Sequence, residues 1–354
     1  MRIFITHVAS IKKAREFGIS MAATNFSHNL LSGGIFDKAY SILPPFVRNQ
    51  SIANVTCGGI NVQYSRLRNT PLARIVPIIE QINIFRAIPR NANVWLYNMS
   101  ALNAFLVKML RWFMPSVKIF PIILDFTPGD PKAERWLPLI NNCDGRICLS
   151  TSEKFSKENS AVLPGVVPVD NTQWPKIHEY KPTFLISGQL SDNISLLSQL
   201  LPIFSHIPEA TLNITGNAPQ IALDYASKYP NIICHGIVDY ESFLSILHNS
   251  TFLLSTRDPE MPENQCNFPS KIIEGLLHNR IIVSTISYPQ LNDIKYLRID
   301  ANDMGRGIRE IISIQQKGLE QYSNQGEAVR IAFSTDIWDK TMTYIENNCE
   351  RCLR

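Results

Sequence analysis

Long uncharged apolar runs, a cysteine framework, clustered histidines and, through the first third, acidic residues are what this chain of 354 residues lacks. The start Met1-Arg-Ile-Phe-Ile-Thr6 has no apolar core of signal-peptide length, so it predicts a first strand and a cytoplasmic setting. Residues 91–107 carry no charge but include Asn91, Asn93, Asn98, Ser100 and Asn103, which excludes an ordinary membrane span. Seven cysteines are an odd number without regular spacing, as expected of a reduced chain. Cys349 and Cys352 form a lone CxxC with no second pair, so a surface tail is expected there and not zinc. His7, His178, His206 and His235 form no spaced set, and no metal is expected.

Acids are scarce where bases are not. Residues 1–120 hold 14 Lys+Arg and three acids, Glu16, Asp37 and Glu80. Residues 1–181 carry a net +10 and residues 182–354 a net −6. This asymmetry predicts two domains and gives the first an anionic partner: a membrane surface, a lipid phosphate or nucleic acid. Basic residues here are not interleaved with stacking aromatics, and no nucleic-acid motif occurs, so nucleic acid is set aside. Arg66, Arg68, Arg74, Arg86, Arg90, Lys108 and Arg111 are the candidates to face anionic lipid. The stretch Ala101–Met114 is apolar almost all round, as in a helix buried against a sheet. The alternative is a membrane-facing helix with Trp112 and Phe113 at the interface.

What is present is a globular composition, 45% hydrophobic and 18% charged, in a length that suits two cores. Strands are predicted near 2–8, 36–43, 54–64, 93–99, 117–124 and 145–150, with helices near 20–32, 71–87, 100–113 and 131–142. Pro164, Pro168, Pro175 and Pro182 mark a linker. Beyond it, strands are predicted at 184–188, 210–216, 232–236, 251–256, 281–285 and 296–299. A helix capped by Ser191 or Asp192 should run to about Ser205. Residues 326–350 read as one terminal helix. Strands alternating with helices predict an α/β fold with two parallel sheets. The expected domains are 1–165, a linker at 166–182, 183–325, and a closing segment at 326–354.

The most informative stretch is Asn267-Phe-Pro-Ser-Lys-Ile-Ile-Glu274, followed by Ile281-Ile-Val-Ser-Thr285. Pro269 suits the first turn of a helix, where its missing N–H costs nothing. That turn exposes backbone N–H groups that favour phosphate, and Lys271 adds a charge. Glu274, three residues on, shares the face of Lys271 roughly 4.5 Å further along the axis. A carboxylate there could accept from a ribose diol while the helix start holds a diphosphate. The expected ligand is therefore a nucleoside diphosphate.

Phe268-Pro-Ser-Lys271, Glu274 and Ile281–Thr285 resemble the donor-site helix and strand of GT-B glycosyltransferases of the family 4 type. The resemblance covers residues 183–300 well and the first half loosely. It implies two Rossmann-like parallel-sheet domains facing a cleft, with the terminal helix crossing back to the first domain. It also implies transfer of a hexose-like sugar from a nucleotide-sugar to a hydroxyl acceptor, with retention. The acceptor would be a glycan or lipid-linked glycan in bacterial surface polysaccharide synthesis, at the cytoplasmic face of the membrane. Donor-binding candidates are Gly188, Gly216, Gly236, Asn267, Phe268, Ser270, Lys271 and Glu274. The three glycines, each at a predicted strand end, are ordinary turn residues if taken singly.

Arg257 follows a predicted strand and could hold diphosphate, or pair with Asp258 or Glu260. Asp125 ends another, and either contacts sugar or acceptor or forms the turn before Thr127-Pro-Gly129. Asp125, Arg257 and Lys271 are the catalytic candidates, and Asn98 is a candidate on the acceptor side. Ser32-Gly33-Gly34 is read as a helix C-cap. Two departures from the family stand out: Cys266 where a first glutamate is usual, with Glu260 and Glu263 nearby, and Leu124 where a histidine is usual. No Asp-x-Asp occurs, which fits a metal-independent mechanism without cofactor, the leaving diphosphate being met by Lys271, Arg257 and helix N–H groups. Two other readings stay open: a nucleotide-sugar epimerase on the same fold, and a catalytically silent nucleotide-sugar-binding scaffold.

Overall fold

A computed structural model describes residues 1–7, 20–43, 55–64, 76–150, 152–155, 158–170 and 172–349. Arg66, Arg68, Arg74 and Cys352 lie outside them. The chain divides into two compact units, Met1–Asp170 with Phe333–Arg354, and Asn171–Ala332.

The first unit runs β1 (Arg2–Thr6), α1 (Met21–Ser32), β2 (Lys38–Ser41), β3 (Val55–Cys57), β4 (Ile60–Tyr64), α2 (Val76–Ala87), β5 (Asn93–Tyr97), α3 (Ala104–Phe113), β6 (Lys118–Ile123), α4 (Pro131–Glu134), α5 (Leu137–Asn141), β7 (Arg146–Cys148) and β8 (Ser160–Val162). The second runs β9 (Thr183–Gln189), α6 (Asp192–Ser195), α7 (Leu197–Ser205), β10 (Thr211–Asn217), α8 (Gln220–Lys228), β11 (Ile232–Gly236), α9 (Tyr240–His248), β12 (Phe252–Ser255), α10 (Pro262–Cys266), α11 (Ser270–Leu277), β13 (Ile281–Ser284), β14 (Leu297–Arg298), α12 (Met304–Ser313), α13 (Gln316–Leu319) and α14 (Gly326–Ala332). The chain then returns to the first unit as α15 (Thr335–Asn347).

The first sheet has the order β3-β4-β2-β1-β5-β6-β7-β8 and the second β11-β10-β9-β12-β13-β14. All pairs are parallel except β3 with β4. Central strands are buried on both faces, so they read as near-continuous apolar runs. Val94, Trp95 and Leu96 of β5 and Phe184 and Leu185 of β9 are fully buried. No helix among the described residues is long and apolar enough to cross a membrane.

Five local expectations need correction. The helix predicted near 131–142 is two short helices, α4 and α5, parted at Arg135 and Trp136. The strand predicted at 54–64 is a hairpin, because Gly58 and Gly59 turn the chain between β3 and β4. The helix predicted from residue 191 to Ser205 breaks at Leu196, whose φ of 48° is left-handed. That conformation costs a non-glycine residue about 1–2 kcal/mol. Burial of Leu196 against the second core offsets it. The terminal helix predicted at 326–350 is two helices, with Ser334 accepting from Ile337 N–H to start α15. Pro269 is the N-cap of α11, one residue before its first turn. At the end of α1, Gly33 is the C-cap, and Gly34 N–H donates to the Leu31 carbonyl at 3.0 Å.

α15 completes the first unit through a buried carboxylate. Glu346 accepts from Trp95 Nε1 at 2.7 Å and from Arg2 Nε at 2.9 Å. Lys118 Nζ donates to the Glu346 carbonyl at 2.9 Å, and Asn159 Nδ2 to that of Ile345 at 2.9 Å. Trp338, fully buried, donates Nε1–H to the Gly165 carbonyl at 2.9 Å.

In the second unit, the turn after α11 is a polar hub. His278 Nδ1 lies 2.9 Å from His248 Nε2, and the Trp174 ring stacks on His278 with centroids 4.1 Å apart. Arg280 donates to the carbonyls of His278, His248, Ser250 and Pro175. Asn279 donates to the Trp174 carbonyl at 2.9 Å and accepts from Gly326 N–H at 3.0 Å. Burial, helped by the charges of His248 and Arg280, pulls His278 down to about 3. Above this hub α11 sits tightly on the sheet. A Cβ on Gly275 would stand 2.4 Å from Leu253 Cδ2 and 2.9 Å from Ile282 Cδ1.

Two measurements follow from this packing. Gly275→Ala gains helix propensity but overfills a buried contact; overpacking wins by about 1 kcal/mol. The unfolding midpoint should fall by about 2–4 °C, and an unchanged or raised midpoint contradicts the contact. The second measurement concerns pH. Folded His278 stays neutral down to about pH 3, while the unfolded side chain takes a proton below about 6.5. The unfolded state then binds more protons, so this group's stability is complete above about pH 6.5 and is lost as pH falls toward 3. Stability should therefore drop on acidification from neutrality, with a shallower slope in His278→Asn. Parallel slopes for the two proteins count against the assignment.

Candidate functional site

The second sheet ends in glycines where parallel strands point at ligands. β9 and β10 pair in register from Thr183 opposite Thr211 to Gly188 opposite Gly216. Gly188 has φ 109° and Gly216 φ 118°, a region that side chains rarely adopt. A Cβ on Gly216 would fall 2.2 Å from the Gly188 carbonyl oxygen, so the two backbones touch. Gly188 itself faces Lys271, whose Cε lies 3.7 Å from where a Cβ would stand. Gly236 ends β11 with open space beside it.

Helix α11 brings the other candidates to the same place. No side chain caps its start. Ile272 N–H donates to the Pro269 carbonyl at 3.0 Å, which leaves the N–H groups of Ser270 and Lys271 for a ligand or solvent, at the positive end of the helix dipole. Lys271 Nζ lies 3.3 Å from Glu274 Oε2 and 4.4 Å from the centre of the Phe243 ring. Both charged side chains are partly exposed, so their pairing is worth about 0.2–0.5 kcal/mol. That is small enough for an anion to take Lys271 away from Glu274. Ser270 is exposed at the helix start and Asn267 half-buried before it. Phe268 is buried edge-on against Tyr288, with centroids 5.2 Å apart.

Arg257 follows β12. Its backbone is clamped by Thr285 Oγ1, which accepts from Arg257 N–H at 2.7 Å and donates to its carbonyl at 2.5 Å. Its Nη1 donates to Asn264 Oδ1 at 3.3 Å, and Asn264 donates in turn to the Asp258 carbonyl at 3.0 Å. The Arg257 charge also acts on Tyr288, whose hydroxyl burial pushes upward. Tyr288 therefore joins Arg257 to Phe268. Cys266 closes α10 and Glu263 lies in its first turn; the Glu263 carbonyl accepts from Asn267 N–H at 3.0 Å.

Asp125 and Asn98 belong to the first unit. Asp125 is exposed just past β6. Asn98, with φ 54°, ties two strand ends together. Its N–H donates to the Ile122 carbonyl at 2.9 Å and its Oδ1 accepts from Leu124 N–H at 2.7 Å. The Asn98 amide oxygen thus positions the backbone that carries Asp125.

Three side chains near these residues escaped sequence reading. Phe243 supplies the aromatic face under Lys271. His7, at the end of β1, packs edge-on against Tyr97 with centroids 5.3 Å apart. Its buried Nδ1 has no hydrogen-bond partner among the described residues, and desolvation lowers its pKa to about 4. Burial, then the Asp125 charge, raises the Tyr97 pKa. His7, Tyr97 and Asp125 therefore lie together at the strand ends of the first sheet. A lone histidine after an apolar strand carries no signal of this, since the contact is set by sheet order.

No family model matches the sequence, and no curated protein matches it. Solved structures do match. The trehalose-6-phosphate synthase OtsA aligns with a TM-score of 0.71 at 9% identity, over 98% of both chains. HepE from Anabaena, solved with UDP and glucose, aligns with a TM-score of 0.61 at 11% identity, over 97% of this chain and 98% of that one. TarM aligns with a TM-score of 0.53 at 17% identity, over 75% of this chain; the match spans 57% of TarM. With two parallel-sheet domains and these likenesses, the chain has the GT-B fold of glycosyltransferases.

Proposed function

We propose that the protein is a family 4-like glycosyltransferase that moves a sugar from a nucleotide-sugar to a hydroxyl acceptor. The observation that carries this reading is the meeting of Gly188, Lys271 and Glu274 at an uncapped helix start. In this reading the diphosphate lies on the first N–H groups of α11 and against Gly188, where no side chain stands in the way. Lys271 and Arg257 meet the charge that grows on the leaving diphosphate, without a metal or cofactor. Glu274, released from Lys271, accepts from the ribose diol. On the first unit, Asp125 is the residue proposed to contact sugar or acceptor. The fold shared with HepE, solved with UDP and glucose, supports a uridine nucleotide of a hexose as the first donor to test. Retention of configuration, a glycan or lipid-linked acceptor in bacterial surface polysaccharide synthesis, and a place at the cytoplasmic face of the membrane complete the proposal.

Three side chains test the site. Glu274→Ala should weaken nucleoside diphosphate binding by about 1.5–3 kcal/mol, the worth of a charge-assisted hydrogen bond, with the unfolding midpoint unchanged. Lys271→Met and Arg257→Met should each lose more affinity for a nucleoside diphosphate than for the free nucleoside. Equal losses for the two ligands assign these residues to the fold and not to phosphate.

A panel of UDP-, GDP- and dTDP-sugars incubated with the pure protein tests the activity. Release of nucleoside diphosphate, stimulated by an acceptor glycan, is the expected result. Interconversion of sugars points instead to an epimerase, and binding without turnover to a silent scaffold, a reading that Cys266 and Leu124 keep in view.

A further inference from the structure

Helix α3 has two apolar faces, and only one of them is used by the fold. Leu106, Val107 and Leu110 are buried in the first core. On the opposite side Phe105 is 41% exposed and Trp112 79%, and on the flank toward α2 Phe113 is 68% exposed. Phe105 and Trp112 are seven residues apart and so share a face, with Lys108 exposed between them. Phe113 meets Phe85 of α2 edge-on, with centroids 6.2 Å apart, which extends the aromatic surface onto a second helix. Isolated exposed apolar side chains need no explanation, but three large aromatics on one short helix do.

The charge of the chain segment that carries this surface has one sign. Residues 81–124 contain Arg86, Arg90, Lys108, Arg111 and Lys118 and no acid. The one acid of α2, Glu80, is buried. Two of the five bases are already committed inside the unit: Arg111 pairs with Asp144 at 2.7 Å, and Lys118 donates to the Glu346 carbonyl. Arg111 thus leaves the set of lipid-facing candidates. Arg86 and Arg90 are exposed on and just after α2, the helix whose Phe85 meets Phe113, and Lys108 is exposed on α3 between Phe105 and Trp112.

From this arrangement we infer that the outer face of α3 docks on an anionic lipid surface, with Trp112 and Phe113 entering the headgroup layer and Arg86, Arg90 and Lys108 meeting lipid phosphates. Aromatic side chains at the end of a helix with basic neighbours suit the boundary between headgroups and acyl chains. Each basic group near an anionic membrane strengthens binding about fivefold, so three give a reversible, salt-sensitive attachment. A second copy of the chain is disfavoured as occupant, because two such faces would oppose like charges. The inference deepens the membrane-side part of the proposed function and uses no residue of the donor site.

Sedimentation with vesicles of phosphatidylcholine, with and without phosphatidylglycerol, tests it. Wild type should bind the anionic vesicles at low salt, release as salt rises, and ignore the neutral ones. Trp112→Ser combined with Phe113→Ser should weaken binding by about tenfold or more. Acyl-brominated lipid should quench tryptophan emission in wild type and not in Trp112→Phe. Equal recovery with neutral and anionic vesicles overturns the inference. So does unchanged binding of the double variant, or self-association that the double variant abolishes while vesicles recover nothing. UDP titration of the same variant separates the two readings: intact nucleotide affinity with lost vesicle binding leaves the donor site standing, and the reverse pattern in Lys271→Met leaves the membrane face standing.

Discussion

The close seating of α11 on the second sheet is the constraint on which the candidate donor site depends. Gly275 lets the helix backbone approach Leu253 and Ile282 closely, and Gly216 lets β10 touch the Gly188 carbonyl. The first seats the far end of the helix on the sheet, and the second keeps side chains out of the space at the ends of β9 and β10. What is left is backbone N–H at the helix start and one pair of charged side chains reaching over it. A site of this kind is made by subtraction: the glycines supply room, and the helix dipole and Lys271 supply the field.

The two ends of α11 are held differently. Its C-terminal end is fixed by a buried polar hub in which Arg280 bonds four carbonyls and Asn279 serves both Trp174 and Gly326. Each of those bonds is costly to break, because a buried donor left alone loses its solvation. The N-terminal end is held by a partly exposed pair worth a few tenths of a kcal/mol. Rigidity at one end and cheap rearrangement at the other fit a helix that receives an anion without being rebuilt by it.

The parts of this structure legible in sequence were those written in local pattern. The apolar runs of β9 to β13 and their closing glycines predict the second sheet, and the Pro269 helix with Lys271 and Glu274 stands where the spacing places it. Less legible were features decided by contacts far apart in the chain. Leu196 breaks a helix that its sequence favours, because a buried leucine side chain outweighs a left-handed backbone. Phe243 reaches Lys271, and His7 reaches Tyr97, only through strand order. Asn98 looks like a polar group offered to a ligand, yet its oxygen bonds the backbone at the end of the neighbouring strand. Trp112 and Phe113 could have been core or surface until their exposure was known.

The buried carboxylate of Glu346 bears on how the protein is made. Its partners Arg2 and Trp95 lie at least 251 residues earlier, so the sheet of the first unit waits for residue 346 to leave the ribosome before Arg2 and Trp95 acquire it. The second unit is continuous in sequence, and its core cluster lies between residues 177 and 322. Domains tend to fold as units in order of synthesis, beginning at the N-terminus. Here that order is inverted at the last step, and the portion translated first is the portion finished last.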